Sequence, residues 1–324
     1  MEDSNKDLIQ SYVLTTAKYD FSVTEKRILY RLVELCQFAT EGQKLNKDYA
    51  IQLGVFENMH KITLAHHLLL KHGESENYTE VKKALKSLRN KTIEYNSNGV
   101  WKVMGIIELP KFFEKGYVEF VVHPEIYQSI LDFSKGFRKY ELVTAMSFDS
   151  VFSMRFYELL SGQKKALTYT IDQLKIMFKV EDKYKLNADF IRYVVDKAKD
   201  ELDEKSPYSF KYKKNMHGRK IVSITFYPVY IAKNRDPNLE KRELQKKASL
   251  SWDLDRIVVN YLKENFGFTD KEIKNNLDLL KVASKELDDL MFLLSELRGP
   301  SKTKKNPKGW TIGAIKTALD KKTK

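Results

Sequence analysis

The same order of predicted elements, three helices and then a β-hairpin, occurs twice along the chain, and this repetition constrains the fold more than any other feature of the sequence. Apolar residues three and four positions apart predict the helices, and alternating apolar residues between turn-forming residues predict the strands. The first copy has helices at Glu25–Phe38 (capped by Ser22 or Thr24), near 46–53 and 60–71, and from Tyr78, then strands at Ile93–Asn96, Val100–Leu109 and Tyr117–Val122. The second copy has helices at 147–162, Thr170–Lys179 and Ala188–Leu202, then strands at Tyr208–Tyr212 and Ile221–Tyr227. A further helix is predicted over 5–18.

Some residues of the two copies also match. Arg27 and Leu32 recur at the spacing of Arg155 and Leu160. Three helices followed by a β-hairpin is the element order of a winged helix. The sequence therefore predicts a mainly α fold with small β-hairpins (α+β), formed by tandem winged-helix domains and a helical C-terminal extension.

This organisation predicts three segments along the chain. The first winged helix is expected in 1–135 and the second in 136–232, followed in 233–324 by a charged linker, a helical extension and a basic tail. Within the extension, Lys233–Lys247 is a linker or a solvated helix, Leu254–Phe266, Lys271–Leu280, Ser284–Leu297 and Trp310–Leu319 are helical, and 298–308 is a loop. From 298 to 324 there are nine Lys or Arg residues against one acid, Asp320. This tail is either a nonspecific DNA-binding segment or a disordered end.

Composition restricts the class of partner. The chain has 57 Lys and Arg against 44 Asp and Glu, a net charge of +13, which favours an anionic partner such as nucleic acid or an acidic membrane surface. One cysteine, Cys36, excludes an intramolecular disulfide, and no apolar run reaches the roughly 18 residues needed to span a bilayer. The polar, acidic N-terminus does not resemble a signal peptide. We therefore expect a cytoplasmic DNA- or RNA-binding protein with no membrane partner.

Signatures of catalysis and cofactor binding are missing from the sequence. There is no phosphate-binding Gly-x-x-x-x-Gly-Lys-Ser/Thr loop and no Gly-x-Gly-x-x-Gly motif. His60 and His67, seven residues apart, would share one helical face, but no Asp or Cys completes a metal site, so exposed histidines are the better interpretation. We expect no cofactor, no metal and no enzymatic activity, although the count of 18 tyrosines leaves a nucleophilic tyrosine open.

The second copy contains the residues best suited to DNA. In a helix-turn-helix the N-terminal part of the third helix enters the major groove. Phe190 and Val194 are expected to face the core. The outward residues, expected to read bases, are Asn187, Ile191, Arg192 and Tyr193, and Lys183 and Lys185 just before them suit phosphate. Each of these also fits an ordinary surface position, with Asn187 as a helix cap.

The hairpin that follows is the predicted wing. Aromatic residues alternate with lysines there, so the aromatics face inward while the cations reach phosphate. The predicted phosphate contacts are Lys211, Lys213, Lys214, Arg219 and Lys220. The alternative is a solvated edge on which lysines prevent strand pairing.

The equivalent helix of the first copy, from Tyr78, carries cations without a mixture of base-reading side chains. Phosphate contact is therefore favoured over base readout, against the alternative of a solvated helix face. The predicted contacts are Lys82, Lys83, Lys86 and Arg89. Ile106, Ile107 and Leu109, farther along this copy, form either a dimer edge or core.

Two stretches carry a family resemblance. Ser22-Val-Thr-Glu-Lys-Arg-Ile-Leu29 and Asp189-Phe-Ile-Arg192, in their order and spacing, resemble iteron-type plasmid replication initiators. The resemblance implies a non-enzymatic protein with two winged helices that binds direct origin repeats (iterons) in double-stranded DNA, helps open A·T-rich DNA and recruits the host initiator and helicase. It also implies a homodimer, formed through the first winged helix, that represses its own gene. Asp189–Arg192 is then the base-reading segment, with Arg192 the principal residue.

The sequence leaves other functions open. A transcriptional regulator can use the same fold, and a rolling-circle nicking enzyme would use a tyrosine nucleophile. The segment 233–324 can also be a partner-docking module. Within it, Asn306–Lys316 is similar to a C-terminal helix motif of some replication-restart and helicase-loading proteins.

Overall fold

The structure, a computed structural model, describes residues 5–41, 49–56, 59–70, 78–97, 99–131, 136–248, 254–287 and 289–322. Its first unit contains, in order, β1 (Asp7–Ser11), α1 (Tyr12–Thr16), α2 (Val23–Glu41), β2 (Tyr49–Phe56), β3 (Met59–Ala65), α3 (Tyr78–Arg89), β4 (Thr92–Ser97), β5 (Val100–Gly105), β6 (Glu108–Phe113), β7 (Tyr117–Val122) and α4 (Pro124–Leu131). The strands form a sheet in the order β2-β3-β7-β6 and a separate β4–β5 hairpin.

The second unit repeats the arrangement of helices and hairpin. Its elements are β8 (Phe137–Glu141), α5 (Leu142–Ser147), α6 (Val151–Leu160), β9 (Leu167–Thr170), α7 (Ile171–Phe178), α8 (Asn187–Phe190), a π-helical turn (Ile191–Asp196), α9 (Lys197–Lys205), β10 (Tyr208–His217) and β11 (Lys220–Tyr230). The sheet order is β10-β11-β9, and β8 instead pairs with β1 of the first unit. The two units are thus joined by a strand pair as well as by the chain.

Local signals explain where the long helices begin. The Ser22 hydroxyl accepts from the Glu25 amide while the Glu25 carboxylate accepts from the Ser22 amide, a capping box that starts α2. Thr170 and Gln173 form the same arrangement at α7. Lys179, in the left-handed region at φ 54°, ends α7.

The two units share one hydrophobic core, which runs from Leu8 to Phe226. The matched arginines of the repeat are both buried and both donate to backbone carbonyls. Arg27 Nε donates to Met146 O at 3.2 Å, and Arg155 donates to Ala17 O at 3.0 Å. These side chains satisfy carbonyls where the two units meet, so the matching letters mark equivalent structural positions.

The C-terminal extension folds into helices with a core of their own. They are α10 (Pro237–Ala248), α11 (Arg256–Phe266), α12 (Asp270–Asn275), α13 (Leu277–Glu286), α14 (Leu290–Ser301) and α15 (Pro307–Lys322). Leu262, Leu280, Leu294 and Ile315 are fully buried at its centre, and Phe137 packs against it from β8. Among the described residues, no helix has the length and apolar content to cross a bilayer.

Several predicted elements are wrong. The predicted helix over 5–18 is β1 followed by the single turn α1, because Leu8 and Gln10 alternate inward in the pair with β8. Where the structure describes them, the predicted helical pieces near 46–53 and 60–71 are the strands β2 and β3 followed by a 3₁₀ turn at His66–Leu69. The strand β3 pairs with both β2 and β7. Short apolar runs fit either period, and only the distant partner strand decides between them.

Further corrections concern single elements. The predicted loop over 298–308 is shorter, since α14 continues through Pro300 to Ser301. The tail is helical as far as Lys322, so the expectation of a disordered end is wrong for the described part of it. Ile106 and Ile107 are buried in the core, whereas Leu109 is 64% exposed and has a positive φ of 48°.

Candidate nucleic-acid interface

The third helix of the second unit runs without a break through α8, the π-helical turn and α9. Phe190 and Val194 are buried in the core, as predicted, while Arg192 and Tyr193 are exposed. Ile191 is only 1% exposed, so the prediction that it faces outward is wrong. The buried stripe includes Ile191 and Val195 and is therefore wider than the two positions assigned to it, as is common for a core-facing helix.

The entrance to this helix is fixed by hydrogen bonds to two other elements. Lys175 Nζ on α7 donates to Tyr184 O at 2.7 Å and to Asn187 Oδ1 at 3.1 Å, and Asn187 Nδ2 donates to Ile221 O on β11 at 2.8 Å. Asn187 is therefore half-buried and its amide joins helix to wing, which corrects the prediction of an outward base-reading side chain. The sequence signal for Lys175 was available, because a lysine four residues after Ile171 lies on the apolar stripe of α7.

A second hydrogen bond also attaches the wing to the recognition helix, which is the third helix of the second unit. Tyr212 Oη donates to Asp196 Oδ1 at 2.6 Å, and partial burial together with this bond raises the pKa of Tyr212. Phe210 beside it is fully buried, as the alternation predicted. Lys211 and Lys213 alternate to the opposite face, and Lys214, Arg219 and Lys220 are also exposed. Gly218, at φ 59°, forms the turn between the strands.

An exposed aromatic ring lies among cations on the recognition helix. Tyr193 is 43% exposed, with the Arg192 guanidinium 5.3 Å and the Lys197 ammonium 5.7 Å from its ring centroid. Such distances allow cation–π attraction, which holds a long side chain in place while its donors face solvent. Lys197 was not predicted, although its spacing of four from Tyr193 was a usable signal.

The cations of this surface have no acidic partner within the part of the chain that the structure describes. No carboxylate there lies within 4.0 Å of the basic groups of Lys183, Lys185, Arg192, Lys211, Lys213, Lys214, Arg219 or Lys220. All of these side chains are exposed. Arg192 on the recognition helix, the lysines before that helix and the cations of the wing thus present uncompensated positive charge, which attracts phosphate.

The corresponding surface of the first unit is partly neutralised. On α3, Lys83 Nζ lies 2.8 Å from Glu80 Oε1, and Arg89 Nε lies 3.7 Å from a Glu108 oxygen. Lys82 Nζ lies 4.5 Å from the Phe112 ring centroid. Together with the exposed Lys86, Lys82 and Arg89 line a shallow depression of about 370 Å³ between α3 and β6.

The histidines do not form the arrangement considered from the sequence. His60 lies on the strand β3 and His67 in a 3₁₀ turn, so they do not share a helical face. The His60 ring packs edge-on against Tyr127 at 4.8 Å, and burial lowers its pKa. Within the ranges that the structure covers, no three His, Cys, Asp or Glu side chains are grouped to hold a metal ion.

Comparisons with known proteins agree with this architecture. A family model described as the WH1 domain of the initiator replication protein matches residues 7–161, and one described as the WH2 domain of the initiator Rep protein matches residues 170–228. The fold is also similar to the crystal structure of the Pi initiator protein in complex with iteron DNA. That likeness has a TM-score of 0.53 at 18% identity and covers 69% of this chain and 97% of that chain. Both family matches end before α10.

Proposed function

This chain belongs to the family of initiator replication proteins with two winged helices, and we propose that it starts replication by binding direct repeats in double-stranded origin DNA. The uncompensated cations around the recognition helix of the second unit are the observation that carries this proposal. Proteins that read base edges in the major groove need an exposed helix face flanked by residues that bind phosphate. The structural relative, the Pi initiator protein, is itself bound to iteron DNA.

Within this interface each residue has a proposed role. Arg192 makes a bidentate contact to a guanine edge, and Tyr193 contacts the neighbouring base or sugar. Lys183 and Lys185 bind phosphate near the start of the helix. On the wing, phosphate is bound by Lys211, Lys213, Lys214, Arg219 and Lys220. Ile191 and Asn187 are left out because the first is buried and the second is held within the protein.

The first winged helix adds phosphate contacts one groove away. The proposed residues are Lys82, Lys83, Lys86 and Arg89 on α3. Two recognition helices in tandem meet major grooves about 10 bp apart. If roughly six to ten of these residues contact phosphate at one time, affinity falls by about 10³–10⁵ between 50 and 200 mM salt.

The finer steps of initiation follow from family membership and are part of the proposal. The bound monomer helps open adjacent A·T-rich DNA and recruits the host initiator and helicase, and a dimer formed through the first winged helix represses the protein's own gene. No catalytic step is assigned. We propose the divisions 1–135, 136–232 and 233–324 for the two winged helices and the extension.

Footprinting of the purified protein on the DNA that flanks its gene, at 50 and 200 mM salt, tests the proposal. Protection of several evenly spaced direct repeats beside an A·T-rich stretch is the expected result, with protection weaker at the higher salt. A single protected palindrome over a promoter would make the protein a regulator instead. Strand cleavage with Mg²⁺ or Mn²⁺ that leaves a covalent tyrosyl–DNA adduct would replace the proposal with a nicking enzyme.

A further inference from the structure

The last helix, α15, has apolar residues on two faces. One face carries the buried residues Thr311 and Ile315, with Ile312 and Leu319 beside them, and packs into the core of the C-terminal helices. The second face carries small and apolar residues at helical intervals. These are Trp310, Gly313, Ala314, Thr317 and Ala318, followed by Lys321. A helix that is apolar on both sides is normally covered on both sides.

This second face forms one wall of a groove, and α14 forms the other. Leu293 and Leu297, one helical turn apart on α14, face it across a volume of about 580 Å³. From Trp310 to Lys321 the groove follows α15 for about 16 Å, or three turns. Gly313 and Ala314 lack large side chains, so the axis of an added helix can come close to α15. The dimensions and the spacing of ridges therefore fit a third helix.

The charge around the groove limits what that helix can be. Among the described residues that line it, Lys321 alone is charged, and Lys304 Nζ lies 5.3 Å from the ring centroid of Trp310 at one end. The stretch 298–322 contains eight Lys or Arg residues and one acid, Asp320, a net charge of +7. A second copy of this chain would bring the same charge to the same place, and like charges repel. A nucleic acid would need several cations along the groove, whereas its walls are apolar.

We propose that the α14–α15 groove is a docking site for an amphipathic helix of a partner protein, with an apolar stripe flanked by acidic residues. Apolar anchors of that helix would fill the groove at positions i, i+3 or i+4 and i+7, and its carboxylates would lie near Lys304 and Lys321. The groove lies outside the family matches at 7–161 and 170–228, so the proposal does not depend on how the winged helices bind DNA.

Selection from a displayed library of random amphipathic helices, with the full chain as bait, tests this site. Gly313→Leu is the groove-filling variant, because a Cβ at Gly313 meets no atom within 4 Å and a larger side chain there extends into the groove. We expect enriched helices with acidic flanks that bind Gly313→Leu at least about tenfold more weakly. Lys321→Glu should lower affinity about two- to fivefold, as for an exposed ion pair. Lys271, exposed on α12, supplies the matched controls Lys271→Leu and Lys271→Glu, which should bind like the original chain.

Other outcomes would overturn the proposal. Enriched helices with neutral or basic flanks, or helices that bind Gly313→Leu as tightly as the original chain, would remove the docking site. Sedimentation that shows a dimer abolished by Gly313→Leu would assign the groove to a second copy. Weaker DNA binding by the same variant would assign it to nucleic acid. The footprint of the original chain on its DNA is measured separately, so the failure of one proposal is distinguishable from the failure of the other.

Discussion

The two winged helices differ in how many of their predicted DNA-contacting cations lie beside an acid. In the second unit none of those cations has an acidic partner among the described residues, and the paired lysines of its third helix, Lys199 and Lys205, lie farther along, on α9. On α3, Lys83 is paired with Glu80 and Arg89 with Glu108, whereas Lys183, Lys185 and Arg192 face solvent. An acid at i−3 on the same helix, or on a neighbouring strand, reduces the charge that a phosphate experiences. The number of lysines in a predicted recognition helix therefore does not give the positive charge that is available to phosphate. The units are therefore expected to contribute unequally to DNA binding.

The largest expected effect concerns a buried ion pair between the two units. Lys26 on α2 is paired with Glu158 on α6, both at 0% exposure, and Lys26 Nζ also donates to Tyr19 Oη at 2.9 Å. Removal of one member leaves a buried charge without its partner, which costs about 3–5 kcal/mol. Lys26→Met should lower the free energy of unfolding by that amount in equilibrium urea denaturation.

The double variant Lys26→Met with Glu158→Leu sharpens this test. Replacement of both charges by apolar side chains of similar volume is often neutral, so the double variant should recover most of the loss. If Lys26→Met alone stays within about 0.5 kcal/mol of the original chain, this ion pair does not stabilise the junction between the units.

The sequence predicts those parts of the two units whose contacts are close together along the chain. The helices α2 and α7 are predicted because their caps and apolar stripes are local. The β2–β3 hairpin is missed because its pairing depends on β7, more than 50 residues later. Long-range strand pairing leaves no periodicity that a short window can detect.

The same limit applies to the candidate interface. Exposed lysines on the wing were predicted because charged side chains rarely become buried. The engagement of Asn187 could not be predicted, because its partners, Lys175 and Ile221, come from a different helix and from the wing. The neutralisation of Arg89 by Glu108 likewise requires α3 and β6 to meet.

Removal of three positive charges from each unit tests whether the two units contribute unequally to DNA binding. The triple variant Lys211→Ala, Lys213→Ala, Lys214→Ala should weaken DNA binding about 10²-fold at 150 mM salt and reduce the salt slope by about 2.7. The matched triple variant on α3, at Lys82, Lys83 and Lys86, should reduce the slope by no more than about 1.8, since Lys83 is already paired. Fluorescence anisotropy over a salt series measures both. If the two triple variants reduced the slope of log affinity against log salt equally, the two units would contribute equally to DNA binding.

Arg192→Ala separates base reading from phosphate binding within the second unit. Loss of a bidentate guanine contact should cost about 1–3 kcal/mol on the specific site and relax preference at one base position. Competition binding against a panel of single-base variants of the protected repeat measures the preference. Lys213→Ala is the control and should weaken all sequences alike. A change of base preference in Lys213→Ala instead would reverse the two assigned roles.

The smallest expected effect is a gain of affinity in the first unit. Glu80→Gln releases Lys83 from a pair in which both side chains are more than half exposed, so the released charge is worth only about 0.2–1 kcal/mol. DNA affinity should rise by a factor of about 1.4 to 5, and the slope of log affinity against log salt should steepen by up to about 0.9 because one more lysine meets phosphate. Asp320→Asn, on α15, makes the same change in net charge outside both winged helices and should leave the slope unchanged. If the two variants steepen the slope equally, net charge governs binding, and the acids of the first winged helix do not set the difference between the units.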